Sequence, residues 1–135
     1  MKQSALFTKS TRAAPRDETA KNAIWLTRAG YIHKEMAGVY SYLPLGLRVI
    51  KKIENIVRAV MNQLGSQEML MSALHPKENW EKTGRWATMT DLYKIGDESG
   101  RELALGPTHE EIITPLVAAH LNSYQHLPFS SYQFQ

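Results

Sequence analysis

Between residues 48 and 64 apolar side chains fall at Ile50, Ile53, Val57, Val60 and Leu64, alternately three and four residues apart, and Val49, Ile56 and Met61 widen the stripe. This is the period of an amphipathic α-helix with one face turned to a core. Arg48, Lys51, Lys52, Glu54, Asn55, Arg58, Asn62 and Gln63 occupy the remaining positions, and Gly65 closes the segment. The helix spans about five turns, and its stripe is wide enough to pack on a sheet or on a partner's helix. A chain built around it is expected to fold, or to be part of something that folds. The 43% hydrophobic and 21% charged residues agree with that, and a length of 135 residues leaves room for one core and no second independent domain.

The remaining elements are read around this helix. Before it, Ala20, Ala23, Ile24 and Thr27 recur at helical spacing from Asp17 onward, Trp25 and Leu26 broaden the face, and Gly30 stops the helix after Arg28. The polar segment up to Pro15 is expected to be an arm with one short helix. Gly38-Val39-Tyr40-Ser41-Tyr42-Leu43-Pro44-Leu45-Gly46 predicts a short strand or hairpin ending in a turn. After the long helix, the apolar run 68–74 between Gly65 and Pro76 suits a strand buried on both faces. Pro76 suits the first turn of a short helix over 77–82 stopped by Gly84. Segments 91–95 and 101–105 flank Gly96-Asp97-Glu98-Ser99-Gly100 as two strands of a hairpin. Residues 129–135 alternate polar and aromatic side chains, like a strand left without its neighbours, an aggregation hazard that suggests the chain is part of a larger domain.

Composition excludes several chemistries. With no cysteine there is no disulfide, thiolate zinc site or cysteine nucleophile. The five histidines, His33, His75, His109, His120 and His126, include no pair at i, i+4 spacing that could ligate a metal from one helix face, so no metal site is expected. Phosphate-binding glycine loops of the G-x-x-x-x-G-K-[ST] and G-x-G-x-x-G types are missing. No apolar run approaches the ~20 residues of a membrane span, and the opening residues carry no apolar leader, so a cytoplasmic protein is expected. Net charge is +3, but residues 1–64 hold 11 Lys and Arg against 4 Asp and Glu, while 65–135 hold 5 against 9. That asymmetry suits either a solvated helix face or a surface turned to a polyanion. Trp80, Arg85 and Trp86 around Gly84 fit a nucleobase-stacking surface, although tryptophan at helical spacing more commonly belongs to a core.

One junction stands out. In Gly106-Pro107-Thr108-His109-Glu110-Glu111 a strand ends, a turn exposes backbone, and a helix begins with carboxylates in its first turn. Thr108 and Glu111 have the T-x-x-E spacing of a capping box before Ile112, Ile113, Leu116, Val117 and Leu121, and Pro115 predicts a kink or a restart at Thr114. On spacing alone, Thr108 and Glu111 cap the helix and Glu110 complements its macrodipole. Binding of an ammonium group or a cation stays open.

The order of these residues resembles the opening of bacterial prolyl-tRNA synthetases. The resemblance rests on Arg28-Ala29-Gly30-Tyr31-Ile32, Gly38 through Gly46, Val49 through Arg58, Glu68-Met69-Leu70-Met71, Leu74-His75-Pro76, Trp80-Glu81-Lys82-Thr83-Gly84-Arg85-Trp86, Gly106 through Glu111, Ser123-Tyr124, Leu127-Pro128 and Tyr132-Gln133. It covers essentially the whole chain. It implies an α+β fold of the class II synthetase type, an antiparallel sheet flanked by helices and incomplete in this chain. It further implies a homodimer built through motif 1 at about 47–76, and a two-step reaction in which proline and ATP, with Mg2+, give a prolyl-adenylate whose prolyl group passes to the 3′ end of tRNA(Pro). Thr108-His109-Glu110 matches the family's T-x-E loop. By that match Thr108 and Glu110 bind proline, Glu110 pairing with its secondary ammonium, while Glu111 keeps the capping role.

Ser72 departs from the proline commonly found at its place in motif 1. Motif 2 with its phosphate-binding arginine, motif 3 and the anticodon-binding domain have no counterpart in the sequence, so no catalytic residue is expected in this chain, and it is expected not to make prolyl-adenylate alone. Two other readings are a non-catalytic module using the motif 1 helix for dimerisation or tRNA binding, and a threonyl-type synthetase, which shares a similar W-E-K-T-G segment. The Gly106-Pro107-Thr108-His109-Glu110 segment argues against the latter.

Overall fold

The structure, a computed structural model, describes residues 2–13 and 16–135, so Met1, Ala14 and Pro15 of the expected arm lie outside the described residues. The chain divides into two compact units, Met1–Val60 and Met61–Gln135.

In the first unit a 3-10 turn over Gln3–Ala5 precedes helix α1, Lys21–Arg28. The helix starts four residues later than its periodicity suggests because Asp17 and Glu18 are engaged elsewhere. The Lys34 ammonium lies 2.9 Å from Asp17 and 3.4 Å from Glu18, and the Tyr40 hydroxyl donates to Glu18 at 2.5 Å. Gly30, at φ +73°, ends the helix as expected. Strands β1, Ile32–Met36, and β2, Val39–Tyr42, then pair antiparallel. The hairpin therefore begins earlier than expected, and Pro44 does not close its turn. Pro44 instead opens α2, Pro44–Gln63, where a missing N–H and a preset φ cost nothing. Gly46 lets the helix approach the backbone of Tyr31: a Cβ there would lie 3.0 Å from the Tyr31 carbonyl carbon and closer still to its oxygen. The apolar stripe of α2 forms as predicted and stays uncovered, with Ile53 53% and Ile56 67% exposed.

The second unit opens as α2 ends at Gly65, φ +75°. Strand β3, Gln67–Glu68, pairs in parallel with β7, Ser131–Tyr132. The buried strand expected over 68–74 is not formed. Past Glu68 the backbone is irregular and Leu70 is 78% exposed. The Met71 N–H donates to the Gln133 side chain, and the Ser72 carbonyl turns toward two imidazoles. Strand structure resumes at β4, Leu74–Pro76, followed by α3, Lys77–Lys82, and α4, Arg85–Thr88, with Gly84 at φ +72° between the two helices. Strands β5, Tyr93–Gly96, and β6, Glu102–Leu105, form the expected hairpin, and β4 pairs on the other side of β6 to give an antiparallel sheet of order β4-β6-β5. Asp97 holds the hairpin loop: its carboxylate accepts from the Ser99 hydroxyl and the backbone N–H of Ser99 and Arg101, and these bonds with the Arg101 guanidinium lower its pKa to about 2.

Trp80, Leu92 and Ala104 form the buried cluster under this sheet, with Trp86 and Met89 against it. Trp80 is thus core, not a stacking platform. Helix α5, Glu110–His120, follows β6. It runs through Pro115 as one element. The carbonyl of Glu111, which an N–H at position 115 would otherwise bond, accepts from the Asn79 amide at 2.9 Å instead. No helix among the described residues is long and apolar enough to cross a membrane.

Candidate functional site

The segment from Gly106 to Glu111 lies where β6 hands over to α5, with Gly106 and His109 packed against His75. His75 is fully buried; its Nε2 is 3.0 Å from the Ser72 carbonyl, and the Nε2 of His109 is 3.2 Å from the same oxygen. With an N–H on each Nε2, both rings donate to the two lone pairs of one carbonyl. The rings meet edge to face at 4.8 Å, and His75 stacks on Trp80 at 5.8 Å. Burial, with the neighbouring His109 adding to it, pushes the His75 imidazole below its ordinary 6.5, which keeps the ring neutral. Gly106 makes room for that ring, since a Cβ there would fall 2.5 Å from Nδ1 and nearer still to Cε1 and Nε2.

The helix start differs from the expected capping box. The cap residue is His109, whose side chain makes no capping bond; its carbonyl accepts from the N–H of Ile112 at 3.0 Å and of Ile113 at 2.8 Å. The neighbouring Thr108 hydroxyl and the backbone N–H of Glu110 itself, helped by the charge of Arg85, hold the Glu110 carboxyl below the usual glutamate range. Glu110 is exposed, and among the described residues no cation lies at ion-pair distance from it.

Glu111 does not cap either. Its side chain is 1% exposed and pairs with Arg85 Nη1 at 2.6 Å, while the Thr83 hydroxyl donates to the same oxygen at 3.3 Å. The Arg85 guanidinium also lies 5.0 Å from the Trp80 ring centroid, within cation–π range. Glu111 Oε2 is buried with no hydrogen-bond partner among the described residues. The two adjacent glutamates have thus separated, one anchored inward and the other exposed at the surface. Sequence reasoning placed Thr108 and Glu110 together but missed Arg85, Thr83 and Asn79, which act on Glu111 from 26, 28 and 32 residues away. The only signal for them was the polar residues flanking Trp80. A cavity of about 490 Å3 along α5, lined by Met69, Leu116, His120, His126 and Phe129 among others, includes neither Thr108 nor Glu110.

The fold of this chain, with its antiparallel β4-β6-β5 sheet, is similar to that of two solved aminoacyl-tRNA synthetase domains. The threonyl-tRNA synthetase RNA-binding domain from Cryptosporidium parvum Iowa II superposes on 77% of this chain and 27% of its own with a TM-score of 0.69 at 18% identity. The prolyl-tRNA synthetase of Cryptosporidium parvum, solved in complex with L-proline and AMP, superposes on 82% of this chain and 22% of its own with a TM-score of 0.66, also at 18% identity. These likenesses establish the fold. No family model matches the chain. In sequence it is 49% identical over its full length to the proline–tRNA ligase of Syntrophomonas wolfei. The chain is a homologue of the bacterial proline–tRNA ligases, and it spans 24% of the length of the curated relatives it matches.

Proposed function

We propose that this chain supplies the amino-acid-holding part of a proline–tRNA ligase of class II architecture. The reaction would run in two steps, attack of the proline carboxylate on the ATP α-phosphate to give prolyl-adenylate and pyrophosphate, then transfer of the prolyl group to the 3′ end of tRNA(Pro). The observation that carries this reading is the Glu110 carboxylate, ionised, exposed and at ion-pair distance from no cation among the described residues, close to the Thr108 hydroxyl in a chain similar over its full length to proline–tRNA ligases.

The chemistry fits a secondary ammonium. Proline's ring nitrogen carries two N–H donors when protonated. One donates to the Glu110 carboxylate as a charge-assisted bond. The Thr108 hydroxyl oxygen, close by, has lone pairs that can accept the second N–H. Among the described residues no three carboxylate or imidazole groups converge on a point, so no residue of this chain is assigned to Mg2+ and no step is derived through it. The uncovered stripe of α2 supports a homodimer with motif 1 at about 47–76 as its interface, since an apolar face of this extent on a helix calls for a partner.

Proline-dependent ATP–pyrophosphate exchange by the protein as its gene encodes it tests the assignment. Glu110→Gln removes the charge and keeps the shape, so the KM for proline is expected to rise on the order of ten-fold or more. An unchanged proline KM would remove Glu110 from the site.

A further inference from the structure

At the start of α5 two carboxylates compete for one guanidinium. Arg85 pairs with Glu111, the buried one, and none of the described cations pairs with Glu110. The choice is built into the packing. Arg85 is only 36% exposed at its side chain and lies over the Trp80 ring, which aims it inward. Glu111 is held at both ends, its side chain by Arg85 and Thr83 and its carbonyl by the Asn79 amide. The residue directly after Glu110 therefore cannot rotate without breaking a buried ion pair and a hydrogen bond.

We propose that Arg85 and Glu111 are positioning residues that select Glu110 as the carboxylate offered to the substrate's ammonium group. Neither touches the substrate. Glu111 keeps the guanidinium out of the amino-acid site, and Arg85 in turn keeps Glu111 inward, which fixes the first helical turn and leaves Glu110 facing outward with Thr108. Were Arg85 to pair with Glu110 instead, the substrate would have to displace an internal cation of the same sign. The proposal rests on the reading of Glu110 given above.

The test is a set of variants of the protein as encoded, assayed by ATP–pyrophosphate exchange. In Glu111→Gln the guanidinium loses its buried anion and turns to Glu110, so the proline KM is expected to rise on the order of ten-fold while the ATP KM stays within about two-fold. Arg85→Met is expected to act the same way, Arg85→Lys to recover part of the loss, and the double variant Arg85→Met with Glu111→Gln to be no worse than the poorer single one. A loss confined to kcat, equal losses for proline and ATP, or additive effects would overturn the proposal in favour of a purely structural pair. If Arg85→Met does not fold, the near-isosteric Glu111→Gln decides alone, and an unchanged proline KM in that folded variant refutes the idea. Glu110→Gln in the same series separates the two claims. Silence there removes the substrate carboxylate itself, whereas a strong effect at Glu110 with silence at Arg85 and Glu111 removes only the positioning role.

Discussion

Replacing Gly106 by alanine adds one methyl group at a place where no atom can give way. The backbone there is not left-handed, so the glycine is not required for its φ. The cost is overlap. The new Cβ would lie 2.5 Å from Nδ1 of His75 and closer to Cε1 and Nε2, inside the space of the ring. The ring has no retreat: it stacks on the buried Trp80, meets His109 at 4.8 Å and is tied to the Ser72 carbonyl at 3.0 Å. The alanine cannot retreat either, because the N–H of residue 106 is bonded to the Ala73 carbonyl at 3.0 Å. Overpacking a tight core typically costs about 1–3 kcal/mol, and a ring trapped on every side places this site at about 3 kcal/mol. With a urea m-value of roughly 1–3 kcal/mol/M for a chain of this size, the unfolding midpoint should fall by about 1–3 M. Unfolding followed by tryptophan fluorescence reads this directly, since Trp80 belongs to the affected cluster. His75→Ala removes the atoms that are struck, so the double variant should lose markedly less than the sum of the two single ones. A midpoint for Gly106→Ala within about 0.3 M of the parent, or strict additivity with His75→Ala, would refute the steric account.

Three other expectations follow from the same unit and from α2. Asn79→Ala should cost about 1 kcal/mol by denaturant unfolding, because it strips the partner from the Glu111 carbonyl, and much less in a Pro115→Ala background, where an N–H at position 115 takes that carbonyl over. Burial makes the folded His75 a weaker base than the unfolded one, so the unfolded chain takes the proton first. Stability is then complete above pH 6.5 and declines as pH falls through that value and on through the lower folded one, and His75→Gln should flatten this slope in unfolding measured between pH 5 and 8. Ile56→Glu, in the middle of the uncovered stripe, should shift sedimentation equilibrium from dimer toward monomer without loss of helix by circular dichroism. A parent protein that is already monomeric would remove the dimer proposal.

How much the sequence disclosed depends on how far each element's deciding partner lies along the chain. Helix α2 was legible because its period is set within each turn, and the β5–β6 hairpin because its turn residues are local. The 68–74 run was misread because apolar composition does not say where the pairing partners are. Glu68 pairs with Tyr132, Leu74 with Leu105, and the residues between them turn to histidines and to Gln133. The late start of α1 has the same origin, since Lys34 and Tyr40 on the hairpin claim Asp17 and Glu18. At the candidate site the position of the Thr–Glu loop was visible in the linear sequence. The division of labour between Glu110 and Glu111 was not, because it is imposed by Arg85, Thr83 and Asn79.

The failure of the capping box bears on function. A threonine and a glutamate at T-x-x-E spacing would ordinarily satisfy two N–H groups at the helix start, and losing such a cap costs typically about 1 kcal/mol. Here neither side chain is used that way. Thr108 makes no capping bond at the helix start, and Glu111 is buried on Arg85 with one oxygen left without a partner among the described residues. A fold selected only for stability would cap the helix and put an apolar residue in place of the half-satisfied buried carboxylate, since a buried ion pair rarely outperforms good apolar packing. The arrangement gains a different property, an exposed and ionised carboxylate that pairs with no cation among the described residues, set on the first turn of a helix. Sites that bind a cation need that preorganisation, and local rules of helix design are most often broken where such a site is built.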